Sequence, residues 1–210
     1  MKSHQVLIMT DGNKDCEATI QSMKFIAAHI KQVAMNLDTV AVKNMVDGII
    51  GAKRIFLMGA GRSSLAAKAF AMRLMHMGFN IYVVGETTTP AVQPGDMVIA
   101  VSGSGETPSI ANLGSIAKRI GSRLTTVTSN RDSTLGRLSD IVVIIPGRPK
   151  EDIIYEDYHE RRMIGYPRLA PLGTIFEITA LVFLDAVVSG LMVRTGASEA
   201  ELKSRHTVFE

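Results

Sequence analysis

The sequence predicts an α/β protein in three layers, a parallel five-stranded sheet with helices on both faces, preceded by a helical arm. Three observations carry this. From Arg54 onward, short apolar runs alternate with helical stretches, the pattern of strands joined by crossover helices. Two of these runs, residues 55–58 and 98–101, end in glycine- and serine-rich turns that open directly into helices. Residues 14–51 show two helical stretches with no strand before them.

The arm comes first. Residues 1–13 fit either a frayed arm or a short helix. Ile20, Met23, Ile26, Ala27 and Ile30 recur at helical spacing over 14–35. Asn36-Leu37-Asp38 interrupts them, and Asp38 is placed to cap a second helix through Ile50. These helices are expected to pack on the domain or on a partner subunit.

The sheet follows. Strands are expected at 54–59, 81–84, 97–101, 124–127 and 141–145. Between them lie a crossover helix at 64–77, with Gly78 at its C′ position, a helix at 108–120 and a short one at 133–138. Pro108 falls in a first turn, where a missing N–H costs little. A loop with Thr87, Thr88, Thr89 and two prolines fills 86–96. The charged connection 146–170 has the length of a functional lid or a disordered segment.

A long helix over 171–193 carries two apolar stripes. One is Leu172, Ile175, Phe176, Thr179, Phe183 and Val187; the other is Leu181, Leu184, Val188 and Leu191, headed by Glu177. A helix apolar on most sides is buried, here partly between subunits. Gly196 ends it, and Ser198 with Glu201 forms a capping-box pattern for a short last helix.

Composition bounds the function. At 210 residues and 46% hydrophobic content, the chain reads as one domain, 1–210. Its parts are the arm (1–51) and a sheet core with the long helix and tail (52–210). The net charge of +3 comes without a concentrated Lys/Arg block, and aromatics are scarce, which argues against a nucleic-acid partner. Cys16 is the only cysteine, which excludes an intrachain disulfide and a cysteine-built metal site. The first residues lack the apolar core of a signal peptide, and Glu177 and Asp185 interrupt the most apolar segment. The expectation is a cytoplasmic protein without a membrane partner.

The two turns are the candidate site. Gly59 and Gly61 permit a tight turn, and Ser63 and Ser64 stand at the mouth of a helix. Helix starts offer unpaired N–H groups and a positive dipole end, and serine hydroxyls add donors suited to phosphate. Ser102, Ser104 and Thr107 repeat this logic, and Gly103 and Gly105 let the backbone form a nest for an anion. Singly, such residues are as often plain turn and cap residues; paired at strand ends, they favour a site for a phosphorylated small molecule.

Gly-x-Gly-Arg-Ser-Ser at 59–64 and Ser-Gly-Ser-Gly-Glu-Thr at 102–107 resemble the sugar isomerase (SIS) domain family. Pro-Leu-Gly-Thr-Ile-Phe-Glu at 171–177 and Arg-His-Thr-Val-Phe-Glu at 205–210 narrow the resemblance to its 6-phospho-3-hexuloisomerase branch. The resemblance implies a five-stranded three-layer domain of flavodoxin-like strand order, a homo-oligomer, commonly a tetramer, and no metal or nucleotide cofactor. It implies a sugar-phosphate substrate, 3-hexulose 6-phosphate, isomerised to fructose 6-phosphate through an enediol. It places Gly61, Arg62, Ser63, Ser64, Ser102, Gly103, Ser104, Gly105, Glu106 and Thr107 in the substrate site. The connection 146–170 departs from the pattern in being longer and more charged.

Two residues are expected to be catalytic. Glu177, in an apolar row, is expected to be partly desolvated, which suits a base that takes and returns a proton; otherwise it is a buried carboxylate paired with Arg or Lys. The resemblance implies that the tail carrying His206 reaches a neighbouring subunit's site, where a histidine that titrates near neutrality could open the sugar ring or shuttle protons; otherwise it is a solvated terminal histidine. Arg62 binds the phosphate or a sugar oxygen, or forms a surface salt bridge. Asp185 reads as structural and His76 as a helix-packing residue.

Other functions compete. A dinucleotide fold wants glycine where Ser64 stands, although Glu86 after the second strand could imitate its ribose-binding acid. No Gly-Lys-Ser/Thr is present, so there is no P-loop. A non-catalytic sugar-phosphate sensor would use the same turns but needs no base. An isomerase of another sugar phosphate would use all of these parts.

Overall fold

The computed structural model describes residues 11–147, 170 and 173–206. Its centre is one parallel sheet of five strands: β1 (Ile55–Gly59), β2 (Ile81–Val83), β3 (Met97–Val101), β4 (Arg123–Thr128) and β5 (Ile141–Ile144). Their spatial order is β2-β1-β3-β4-β5. The chain leaves β1 in one direction and returns to its other side at β3, so the order reverses between β1 and β3. Side-chain alternation divides the core. Ile55, Leu57, Met97, Ile99, Val101, Val127 and Val143 face one layer of helices. Phe56, Met58, Val98, Ala100 and Leu124 face the other.

The first layer holds α1 (Asp11–Met35), α2 (Thr39–Gly51), α3 (Arg62–His76) and α6 (Thr174–Thr195). The second holds α4 (Pro108–Ile120) and α5 (Thr134–Leu138). A short α7 (Glu199–Ser204) follows α6 and touches α3. The arm packs on its own domain: Val33, Ala41, Met45, Val46 and Ile49 are buried in the first core. Ile20 and Met23, further up α1, are exposed.

Local signals set the element ends. Asp38 accepts hydrogen bonds from the N–H groups of Val40 and Ala41, capping α2. Ser198 and Glu201 form the reciprocal capping box of α7. Gly78 (φ +88) leaves α3 in the left-handed region that favours glycine.

The structure corrects the long helix. It starts at Thr174, so Glu177 sits in its first turn. Leu181 and Val182 are partly exposed, so the expected Leu181–Leu191 stripe is not wholly buried. The helix has the length and apolar composition of a membrane span, with mean hydropathy 2.0 over its most apolar window, and half of that window is buried inside this chain. Most of the connection 146–170, together with Pro171, Leu172 and the 207–210 tail, lies outside the described residues.

At the amino ends of the strands, Arg54 donates to both oxygens of Asp96, at 3.0 and 2.5 Å, and stacks over Phe56. Burial pushes the Asp96 carboxyl up, but hydrogen bonds from Arg54 and the Gln93 N–H, with the Arg54 charge, hold it below its ordinary value. A depressed carboxyl contributes stability that is complete above its unfolded pKa and lost as pH falls through its folded pKa. Asp96→Ala leaves Arg54 without its partner and is expected to cost about 2–3 kcal/mol at pH 7. The gap between variant and wild type should close below the ordinary carboxylate range. Thermal unfolding at pH 7 and in acid checks both; a gap that persists in acid refutes the ion-pair account.

Candidate active site

The site is built by strand register. Gly59 ends β1 directly opposite Val101, the end of β3. The two turns that follow therefore leave adjacent strands, about 5 Å apart, at the reversal of strand order where ligands of such sheets bind.

The first turn is tight. A Cβ on Gly59 would lie 3.0 Å from the backbone of Ser63 and Ser64, and Gly61 has φ +55. Helix α3 begins at Arg62, so Ser63 and Ser64 lie inside its first turn. The Ser64 hydroxyl donates to the Gly61 carbonyl at 2.6 Å, which commits it to the turn. The Ser63 hydroxyl has no hydrogen-bond partner among the described residues.

In the second turn the buried Ser102 hydroxyl lies 3.3 Å from the Thr107 hydroxyl. Ser104 Oγ accepts from the Glu106 N–H at 3.1 Å. The N–H groups of Gly103, Ser104 and Thr107 have no partner among the described residues. Both Glu106 oxygens are taken by Thr134, whose hydroxyl and N–H hold the Glu106 carboxyl below its usual range.

Helix α6 brings in the third part. A Cβ on Gly103 would lie 2.9 Å from Phe176 Cδ1, so the Phe176 ring rests directly on the second turn. The next residue, Glu177, forms an ion pair and hydrogen bond with Arg62 Nε of the first turn. The Glu177 side chain is 18% exposed and that of Arg62 58%. Glu177 is thus not alone in an apolar row; it has the charge partner that the alternative reading gave it. Gly173 (φ +85) also makes room for it: a Cβ there would meet Glu177 Oε1 at 3.1 Å.

Capping divides the helices. Helices α2, α5 and α7 have side-chain caps, from Asp38, Ser133 and Ser198. Helices α3, α4 and α6, whose first turns meet at this site, have none. Helix starts without side-chain caps keep a positive dipole end and N–H groups open to other acceptors, a setting suited to an anion.

His206 is not here. Its ring stacks on the buried His76, centroids 4.0 Å apart, and Arg205 donates to the His76 carbonyl at 3.0 Å. His76 ends α3, about 20 Å along the helix axis from Arg62. His206 is exposed, as a solvated terminal histidine would be, but it stacks on a residue of its own chain, and His76 packs as expected. Beside this stack is a cavity of about 450 Å³, lined by Arg73, Asp185, Lys203 and His206 among others. Glu86, the ribose-binding candidate of the dinucleotide reading, is paired with Lys68 at 2.6 Å.

Residues 48–156 match the SIS domain model. The chain belongs to the SIS domain family. It is 40% identical to the 3-hexulose-6-phosphate isomerase of Bacillus subtilis over 79% of this chain and 85% of that protein. It is 35% identical to the enzyme of the same name from Mycobacterium gastri over 90% of each. A Methanococcus jannaschii crystal structure, from which the function of 3-hexulose-6-phosphate isomerase was inferred, superposes with TM-score 0.73 at 31% identity. That superposition covers 94% of this chain and 99% of the other.

The sequence did not single out Phe176, Gly173 or the 128–134 segment as parts of the site. The polar run Thr128-Ser129-Asn130, at the end of the strand beside β3, was the available signal for the last of these.

Gly103→Ala forces the Phe176 ring, and with it Glu177, away from the second turn. Overpacking of this kind is expected to cost about 1–3 kcal/mol, with a larger loss of turnover. Adding Phe176→Leu should recover part of the activity. Measured turnover of both variants checks this; no recovery refutes the steric cause.

Proposed function

We propose that this SIS-domain isomerase converts 3-hexulose 6-phosphate to fructose 6-phosphate, with Glu177 as the base. The observation that supports this best is the pairing of Glu177 with Arg62 beside the uncapped starts of α3, α4 and α6. The phosphate is bound by the free N–H groups of the second turn and by the hydroxyls of Ser63, Ser102, Ser104 and Thr107. Glu177 removes the proton from C2 while the C3 carbonyl oxygen takes one up, giving the 2,3-enediol. Returning a proton to C3 and withdrawing the one on the C2 oxygen leaves the carbonyl at C2. Arg62 is the counter-ion of Glu177. When substrate arrives, the guanidinium turns to a phosphate or sugar oxygen and frees the carboxylate. A sensor needs no such carboxylate, and regulators with this fold are the weaker reading.

The substrate's charge confines the reaction to the compartment that makes it, so we place the enzyme in the cytoplasm. There it acts in the ribulose monophosphate pathway of formaldehyde assimilation. We further propose a homotetramer. Leu65, Met72 and Met75 of α3 and Leu181 and Val182 of α6 are apolar and exposed on two helices that pack together, which suits burial against a second copy. His206, held far from its own chain's Glu177, then serves a neighbour's site.

Glu177→Gln keeps the shape and removes the basic carboxylate. It should lower kcat by roughly 10²- to 10⁴-fold while ligand still binds. Solvent deuterium entering product at the wild-type rate would contradict the assignment. For the shared site, inactive Glu177→Gln subunits are mixed with inactive His206→Ala subunits under conditions of exchange. Activity should partly return; a monomer in sedimentation, or exchange without recovery, refutes sharing.

A further inference from the structure

We propose that Glu106 is a positioning residue: clipped to Thr134, it fixes the 102–107 turn so that its free N–H groups face the substrate. This rests on the second turn being the phosphate site of the proposed isomerase.

The geometry separates Glu106 from the sugar. One carboxylate oxygen accepts from the Thr134 N–H and the other from the Thr134 hydroxyl, each at 2.7 Å. With both oxygens engaged by α5, the carboxylate is turned towards that helix. Left free beside a phosphate-binding turn, its negative charge would repel the ligand. Arg137, also on α5, adds a favourable charge to the carboxylate from the same side.

The rest of the turn is held from the same direction. The Leu135 N–H donates to the Gly105 carbonyl at 3.1 Å. Gly105 (φ +67) lies so close to the α5 cap that a Cβ would fall 2.0 Å from Ser133 Oγ. The Gly103 carbonyl accepts three bonds, from the Ser129 N–H at 3.0 Å, the Ser129 hydroxyl at 2.6 Å and the Thr128 hydroxyl at 3.1 Å. The two glycine carbonyls, which a mobile turn could point at an anion, are thus tied to β4 and α5. The N–H groups of Gly103, Ser104 and Thr107 remain. Glu106 supplies the charged acceptor of this clamp, and charge-assisted hydrogen bonds are its strongest members.

The test is a double-mutant cycle read by calorimetric binding of inorganic phosphate and by steady-state kinetics. Glu106→Ala should weaken phosphate binding about tenfold, the low end for losing hydrogen bonds to a charged group. KM should rise accordingly and kcat fall by less. Thr134→Val should act in the same direction, and the double variant should be no worse than Glu106→Ala. Thr134→Ser, which keeps the hydroxyl, should bind phosphate as wild type does. If Glu106→Ala fails to fold, Glu106→Gln takes its place in the cycle. Unchanged phosphate affinity in the Glu106 variants overturns the proposal, as does absence of phosphate binding by wild type. Strictly additive losses also overturn it, because they make Glu106 a direct ligand. The phosphate probe needs no turnover, so a chain inactive on 3-hexulose 6-phosphate would refute the proposed function while still testing the clip.

Discussion

The site depends on the parallel pairing of β1 with β3. Five residues pair in unbroken register, from Ile55 with Met97 to Gly59 with Val101. A slip by one residue would turn each strand's apolar set to the wrong helix layer, so the core itself pins the register. The register in turn places both turns side by side where the strand order reverses. Everything the proposed chemistry uses hangs from that edge: Arg62 on one turn, the free N–H groups on the other, and Phe176 laid on Gly103 to bring α6 down between them.

Stability is given up in the same place. A side-chain cap contributes about 1 kcal/mol, and this chain caps α2, α5 and α7. It leaves α3, α4 and α6 uncapped where their first turns meet. A capping serine or aspartate at Gly61, Thr107 or Gly173 would satisfy the orphan donors and compete with an anion for them. The glycines at 61 and 173 also hold positive φ, which any other residue would strain. The uncapped ends read as a cost accepted for binding.

Much of this was legible because local rules and tertiary structure agree. The third strand and the helix after it came out with their observed bounds, since an apolar run, a glycine turn and Pro108 mark every edge. The Asp38 cap and the Ser198–Glu201 box are four-residue signals that need no context. What pattern could not supply was the destination of long polar side chains. Glu106 lies in a turn motif and reads as a ligand, yet it reaches Thr134, 28 residues on. His206 lies near the terminus with nothing nearby in sequence to receive it; its stacking partner is 130 residues back, at the end of α3. Leu181 fits a helical stripe, but a helix apolar all round does not say which side meets the sheet.

The placement of Glu177 on α6, rather than on a strand-end turn, has a mechanical consequence. Turns after parallel strands are fixed by the sheet and, in the proposed reading, carry the anion site. A proton-transferring group on them would move only with the sheet. Glu177 instead stands in the first turn of a 22-residue helix that packs against α3. The same rigid helix carries the exposed Leu181 and Val182 one turn further on, and Asp185, paired with Arg73, beyond them. In the proposed tetramer, a copy covering this outer face would press α6 against α3 and help hold Glu177 over Arg62. Association of copies on that face and alignment of the proposed base would then be one constraint. The packing that would bury this exposed apolar surface would also set the distance between the carboxylate and the two turns of the proposed phosphate site.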